Sequence, residues 1–343
     1  MVKAGIRIFI RADASAKIGA GHVMRCLTLA DALRQEGATA TFLSRDMPPA
    51  LAALIREKGH WLVALSDDQA CLALLAEAEP EWLIVDHYGL DVRFEQAARC
   101  AARKIMVIDD LADRVHDCDL LLDQNLGRNA EHYRGLTPGH CQLLIGPSYA
   151  LLRPDFAELR NISLQRRTAG VVRHILISMG GFDGDNVTGA VLSALQSCSL
   201  PAGLRLSVVM GRDSPWIDSV GQLAATMPWP TEVLVGVRDM ARLMSASDLA
   251  IGAAGGAAWE RATLGLPVLL LILADNQRPG AMALAKAGAA RLLPEDRPIA
   301  ETLCAELVAL MEPSVLVAAS RASAAVTDAL GAQKVAATLL EAA

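Results

Sequence analysis

Residues 7–33 read RIFIRADASAKIGAGHVMRCLTLADAL, and the fold turns on how this stretch is divided. RIFIRA is a short run rich in isoleucine and phenylalanine, the composition of a β-strand. A polar loop containing Gly19 and Gly21 follows, and VMRCLTLADALRQEG carries helical periodicity. A strand running through a glycine loop into a helix is the first half of a βαβ unit, with His22 at the helix start.

The same alternation continues along the chain. ATATFLSR, HWLVAL, EWLIVDH and KIMVIDD are strand-like and separated by helical patterns, with DLLLDQN and CQLLIGP as two further strands. From residue 174 the series restarts with HILISMGG, LRLSVVMG, TEVLVGV, DLAIGAAGG and PVLLLIL. Alternation of this kind predicts parallel sheets. A chain of 343 residues is long enough for two α/β domains. The expected fold is therefore two Rossmann-like domains whose sheets face across a cleft. The polar, basic segment from residue 152 to 172 marks the boundary, giving domains 1–165 and 172–343, and the Ala-rich last helix is expected to pack back on the first domain.

Composition narrows the function. With 53% hydrophobic residues the chain is globular, and a net charge of −6 argues against a nucleic-acid surface. The N-terminal apolar run is interrupted by Arg7 and Arg11, which a signal peptide would not tolerate. The apolar run at 264–274 is too short to span a bilayer and contains Pro267. Cys26, Cys71, Cys100, Cys118, Cys141, Cys198 and Cys304 are scattered, odd in number and without a CxxC pair. They predict neither a disulfide framework nor a zinc site, and point to a reducing cytoplasm. The expectation is a cytoplasmic monomer with no membrane insertion and no nucleic-acid partner.

In open parallel sheets ligands bind beyond the carboxyl ends of strands, where strand order reverses. There the sequence places Asp13, Gly19, Gly21 and His22, then Asp86, His87 and Tyr88, then Asp109 and Asp110. In the second half it places Gly180, Gly181 and Asp183, then Gly255 and Gly256, then Asp275, Asn276 and Gln277. In the usual doubly wound order the first and fourth strands are neighbours, which brings the His22 loop to the Asp86–Tyr88 corner. Glycines let a backbone approach a ligand, and a helix N-terminus offers free N–H groups to an anion. The same field opposes protonation of His22, so its imidazole can serve as a base. On position alone, a capping or packing histidine is the better reading. AGGAA is a candidate pyrophosphate cradle through Gly255, Gly256 and Ala257, and Glu260 can accept from a ribose diol. Adjacent Asp109 and Asp110 point to opposite faces of an extended strand and do not share a proton. GAGH lacks the dinucleotide spacing, and no metal or cofactor is called for.

Taken in order, RADASAKIGAGHVMRCLTLADAL, VDHYGLD, IDDLADR, LLDQN, GPSYALLRPDF, SMGGFDGDN and AAGGAAWERATLGLPVLLLILADNQ resemble the UDP-sugar hydrolases of pseudaminic acid biosynthesis. The resemblance implies the B-type glycosyltransferase architecture and inverting hydrolysis at the anomeric carbon of a UDP-linked 2,4-diacetamido-2,4,6-trideoxy-β-L-altropyranose. The resemblance also implies that the sugar product is destined for a cell-surface glycan or for flagellin, without saying which. His22 falls on the family's proposed base, while Gly255, Gly256, Trp259, Glu260, Asn276 and Gln277 fall on its UDP site, to which Gly181 is added. Asp13, Gly19, Gly21 and Tyr88 are expected on the sugar and phosphate side. Asp13, Asp86 and Tyr88 are each candidates to orient the imidazole or the sugar. Relatives carry hydroxyl residues where this chain has Ala257 and Ala258. A glycosyltransferase on the same scaffold, or a nucleotide-sugar binder without catalysis, are the alternatives.

Overall fold

A computed structural model describes residues 5–15 and 18–343. The part of the leader reading that falls on residues 1–4 lies outside the described residues. The chain divides into two compact units, one running to Arg153 and completed by Ala329–Ala343, the other Pro154–Asp328.

The first unit holds β1 (Arg7–Ala12), β2 (Thr39–Ser44), β3 (Trp61–Ala64), β4 (Trp82–Asp86), β5 (Lys104–Ile108), β6 (Leu120–Asp123) and β7 (Gln142–Ile145). All pair in parallel in the order β3-β2-β1-β4-β5-β6-β7. Helices α1 (Gly21–Gln35), α2 (Pro49–Glu57), α3 (Asp68–Ala78) and α4 (Val92–Ala98) make the crossovers. Sequence chemistry sets their starts: Pro49 opens α2, and the Asp67 and Asp91 carboxylates accept from first-turn amides of α3 and α4. Strand alternation splits the core in two. Ile8, Ile10, Phe42, Ile84 and Met106 face α1, whereas Leu43, Leu83, Val85, Ile105 and Val107 face α3 and α4.

The second unit begins with α5 (Pro154–Arg167), followed by β8 (His174–Ser178), α6 (Val187–Gln196), β9 (Arg205–Met210), α7 (Ile217–Ala224), β10 (Thr231–Val235), α8 (Met240–Ala246) and β11 (Leu249–Ala253). Then come α9 (Ala257–Thr263), β12 (Val268–Leu271), α10 (Arg278–Lys286), β13 (Arg291–Leu292), α11 (Ile299–Met311) and α12 (Pro313–Ala324). Its sheet runs β10-β9-β8-β11-β12-β13, so strand order again reverses between the first and fourth strands. The two-residue β13 is an addition to the strands expected from sequence.

The final helix α13 (Gly331–Glu341) belongs to the first unit. Val335, Ala336 and Leu339 are buried in the core that α1 covers, and Trp82 Nε1 donates to the Leu339 carbonyl at 3.0 Å. Burying side chains of this size contributes about 1.5–3 kcal/mol each for valine and leucine.

Two sequence expectations are corrected here. The expected division between domains 1–165 and 172–343 moves toward the N-terminus, because the two units separate at Arg153/Pro154 and the basic segment belongs to the second. Arg160 donates to the carbonyls of Thr263, Ala324 and Thr327, and Arg167 to those of Ser163, Met244 and Ser247. These arginines satisfy carbonyls at the ends of α8, α9 and α12, which anchors α5 to the second unit. The cysteine reading also changes, because Cys198 and Cys304 are disulfide-bonded with Cα atoms 5.3 Å apart. Packing of α6 on α11 joins positions 106 residues apart, a pairing that spacing could not show, and it removes cysteine usage as an argument for a reducing compartment. Among the described residues no single helix is long and apolar enough to cross a membrane.

Candidate functional site

In the first unit β1 and β4 are neighbours, with Ala12 opposite Asp86, and α1 starts beyond the end of β1. Gly19 has φ +81° and bridges back to Ser15, with its N–H donating to the Ser15 carbonyl at 2.7 Å. That left-handed conformation suits glycine and delivers the chain to the helix start. The first turn of α1 has no side-chain cap and no acidic residue.

His22, Arg25 and Cys26 stand at i, i+3 and i+4, hence on one face of α1. All three converge on the buried Asp86 carboxylate. His22 Nδ1 lies 2.5 Å from Asp86 Oδ1, Arg25 Nη2 donates to Oδ1 and Nε to Oδ2 at 2.6 Å each, and the Cys26 thiol donates to Oδ2 at 3.4 Å. Burial alone would raise the pKa of Asp86, but Arg25 and then His22 outweigh it and hold it well below the usual carboxylate range. An ionised carboxylate only accepts, so Nδ1 carries a hydrogen toward Asp86 and Nε2 faces away from that contact. Burial opposes the Arg25 charge, yet Asp86 and Asp110 raise its pKa well above the ordinary value. Burial and Asp86 together push the Cys26 thiol up, so it stays protonated.

Tyr88 and Asp110 complete the cluster. The Tyr88 ring stands edge-on to the imidazole, with centroids 4.7 Å apart at 88°. Burial and then Asp110 push the Tyr88 phenol up, leaving it a neutral donor. Asp110 Oδ2 accepts from Arg25 Nη1 at 3.1 Å. Asp109 turns the other way, into a buried group with Tyr133, Asp123 and His116. The two adjacent aspartates thus separate as alternation on a strand requires.

Asp13 is not poised as expected. It accepts from Arg11 at 2.6 and 3.0 Å, Ser44 Oγ at 2.9 Å and Arg45 N at 2.8 Å, and His87 Nε2 lies 3.2 Å from Oδ2. Because His87 Nδ1 accepts from Gly89 N at 2.9 Å, Nε2 is its donor to Asp13. Asp13 therefore fixes the residue between Asp86 and Tyr88. Arg25 and Asp110 are the members of this cluster whose roles sequence reasoning missed, although the spacing of His22, Arg25 and Cys26 carried the signal for the first.

In the second unit β8 pairs with β11, with Ser178 opposite Gly252. The Gly180–Gly181 and Gly255–Gly256 turns leave these neighbouring ends. A Cβ on Gly181 or Gly256 would meet nothing within 4 Å. Gln277 Oε1 accepts from Leu273 N at 3.1 Å, and its Nε2 lies 4.0 Å from where a Gly255 Cβ would stand. The β11 and β12 turns therefore meet. Asn276 is exposed, and Glu260 is partly buried one turn into α9. Trp259 is 6% exposed and belongs to the packing. Asp183 accepts from Val187 N and Thr188 N at 2.8 and 2.9 Å, and Asn186 from Gly189 N at 3.1 Å, so the first turn of α6 is closed by its own side chains.

Over 98% of its length the chain superposes on 99% of MurG from Acinetobacter baumannii, at TM-score 0.70 and 18% identity. The chain has the B-type glycosyltransferase fold. Residues 227–337 match the glycosyltransferase family 28 C-terminal domain. The chain is 28% identical, over 82% of its length and 97% of the relative's, to a Campylobacter jejuni protein named UDP-2,4-diacetamido-2,4,6-trideoxy-beta-L-altropyranose hydrolase. It is 26% identical over 80% of its length to an uncharacterized protein of Methanocaldococcus jannaschii, of which it spans 57%. Similarity to the named hydrolase is thus present in the sequence as a whole and not only in the motifs. On this fold, the first unit joins a tautomer-fixed imidazole to a phenol donor, and the second gathers three turns at a strand-order reversal.

Proposed function

We propose that the protein hydrolyses a UDP-linked 2,4-diacetamido-2,4,6-trideoxy sugar, of the β-L-altropyranose series, by attack of water at the anomeric carbon with inversion. The observation that carries this reading is the His22–Asp86 pair. With Nδ1 donated to Asp86, Nε2 takes the proton of the attacking water, a contribution of about 10²- to 10⁴-fold in rate. Tyr88 donates to the sugar or the water, and the turn carrying Gly19 and Gly21 lets the sugar approach. Gly181, Gly255, Gly256 and Ala257 hold the diphosphate through backbone amides, Glu260 accepts from the ribose, and Asn276 and Gln277 complete the UDP side. UDP is a good leaving group, so a base without a strong acid suffices. The similarity to the named hydrolase supports this substrate, and a cytoplasmic step of pseudaminic acid biosynthesis goes with it.

A second reading, a UDP-sugar glycosyltransferase, is favoured by the family 28 match and the MurG-like fold. Incubation of the UDP-sugar in ¹⁸O-labelled water separates the two. Label in the free sugar, with UDP unlabelled, is the expected result. Label in UDP refutes attack at carbon, and turnover that waits for an added acceptor favours the transferase.

A further inference from the structure

Arg261 lies on α9 and is 2% exposed. Its side chain turns back to the carboxyl end of β11, where Nη2 donates to the Ala253 carbonyl at 2.5 Å. Nη1 lies 2.9 Å from the position a Cβ on Gly252 would take, and the Ser178 carbonyl oxygen is equally near that position. Any side chain at residue 252 would collide with both. The guanidinium therefore occupies the ends of β8 and β11, the strand pair where the order of the second sheet reverses.

The guanidinium is short of partners for so buried a charge. Nε has no hydrogen-bond acceptor, and among the described residues no salt bridge reaches the group. Burial lowers its pKa to about 10, against the neighbouring Glu260, so it is still cationic at neutral pH. Arg167 is similarly buried, but its guanidinium meets three carbonyl oxygens. A buried cation held by one carbonyl is costly unless an anion compensates it. The turn directly beyond Ala253 is the one assigned to the diphosphate, and there Ala257 and Ala258 offer no hydroxyl.

We propose that Arg261 is the buried counter-charge of the nucleotide diphosphate, a positioning residue that fastens the 253–256 turn and gives it positive potential in place of side-chain hydroxyls. This rests on the assignment of that turn to the diphosphate. Arg261 acts through the backbone and the field, without touching the ligand. The low-dielectric surroundings keep such a charge effective over several ångströms.

Calorimetric titration of the full chain with UDP, UMP and uridine, alongside thermal melting, tests it. Arg261→Gln keeps a donor for Ala253 but loses the charge. It is expected to weaken UDP by about tenfold, UMP by less and uridine hardly at all, without lowering Tm. Arg261→Lys, which keeps the charge, is expected to retain the wild-type preference for UDP over uridine. Equal loss for all three ligands, or unchanged UDP affinity, overturns the inference. If Arg261→Gln does not fold, Arg261→Lys decides alone, and loss of its UDP preference overturns the inference. A wild-type chain that binds uridine but not UDP overturns both this inference and the diphosphate assignment, whereas a wild type that binds UDP isolates the fault to Arg261.

Discussion

Asp86 Oδ1 lies 2.5 Å from His22 Nδ1, and the same oxygen accepts from Arg25 Nη2 at 2.6 Å. The carboxylate thereby holds the imidazole with its hydrogen on Nδ1. Asp86→Asn offers an amide that can donate to Nδ1 and so favours the tautomer with its hydrogen on Nε2. UDP release from the UDP-sugar should fall by about 10²- to 10⁴-fold in kcat for both His22→Ala and Asp86→Asn. UDP affinity, measured by calorimetry, should stay near wild type, since the turns proposed to bind UDP lie in the second unit. Undiminished turnover in His22→Ala would remove the imidazole from the chemistry.

Arg25 is what permits a buried Asp86 to remain ionised. In Arg25→Met the carboxylate loses its bidentate partner, and breaking such a buried pair typically costs about 3–5 kcal/mol. The sign with pH follows from the depressed pKa of Asp86. Its stabilising contribution is present above the ordinary aspartate value, about 3.9, and is lost as pH falls through the lower folded value. Urea unfolding from pH 4 to 8 should show the Asp86 contribution intact across the range in wild type, with Arg25→Met weakened throughout. An unchanged urea midpoint at pH 7 would contradict the assigned pairing.

Much of this site was legible because it depends on local order. Doubly wound topology puts the first and fourth strands side by side, which brings the His22 loop to the Asp86 corner, and strand alternation separates Asp109 from Asp110. Features that depend on distant partners were not legible. The arginines of α5 read as a polar domain boundary until the carbonyls of Met244, Thr263 and Ala324 are seen opposite them. Arg261 looks like an ordinary charge in the last turn of a short helix until the fold buries it. Asp13 had a position suited to a ligand, but Ser44 and His87, from other strand ends, occupy its oxygens.

The buried group behind Asp109 predicts a second pH effect. Burial pushes Asp123 up to about 6, against hydrogen bonds from Asn125 and Tyr133. Burial opposes the charge on His116, but Asp109 and Glu95 outweigh it and push it up to about 9. Both folded values lie above the unfolded ones, so both contributions are full at low pH and are lost as pH rises, Asp123 through about 6 and His116 through about 9. First-unit stability, followed by hydrogen exchange of β5 and β6 amides with correction for intrinsic exchange rates, should fall in two steps over this range. Asp123→Asn should abolish the lower step and keep the upper one. Retention of both steps would assign the lower one to another group.

The turns after β8 and β9 pack backbone against backbone. A Cβ on Gly211 would stand 1.8 Å from the Gly181 carbonyl oxygen, closer than any side-chain rearrangement can relieve. Gly211→Ala must therefore displace one of the two turns, at a cost of about 3 kcal/mol, the upper end of what overpacking usually brings. Because Gly181 is assigned to the UDP side, UDP affinity should fall with stability. Gly203→Ala is the control, since a Cβ there meets nothing within 4 Å, and surface changes of that kind stay within about 0.5 kcal/mol. Two outcomes of denaturant unfolding and UDP calorimetry separate the roles. If Gly211→Ala is destabilised but binds UDP normally, the β9 turn has yielded and Gly181 has kept its place. If affinity falls in step with stability, the Gly181 carbonyl has moved, and the glycine at 211 is what lets the first turn of this unit reach its ligand position.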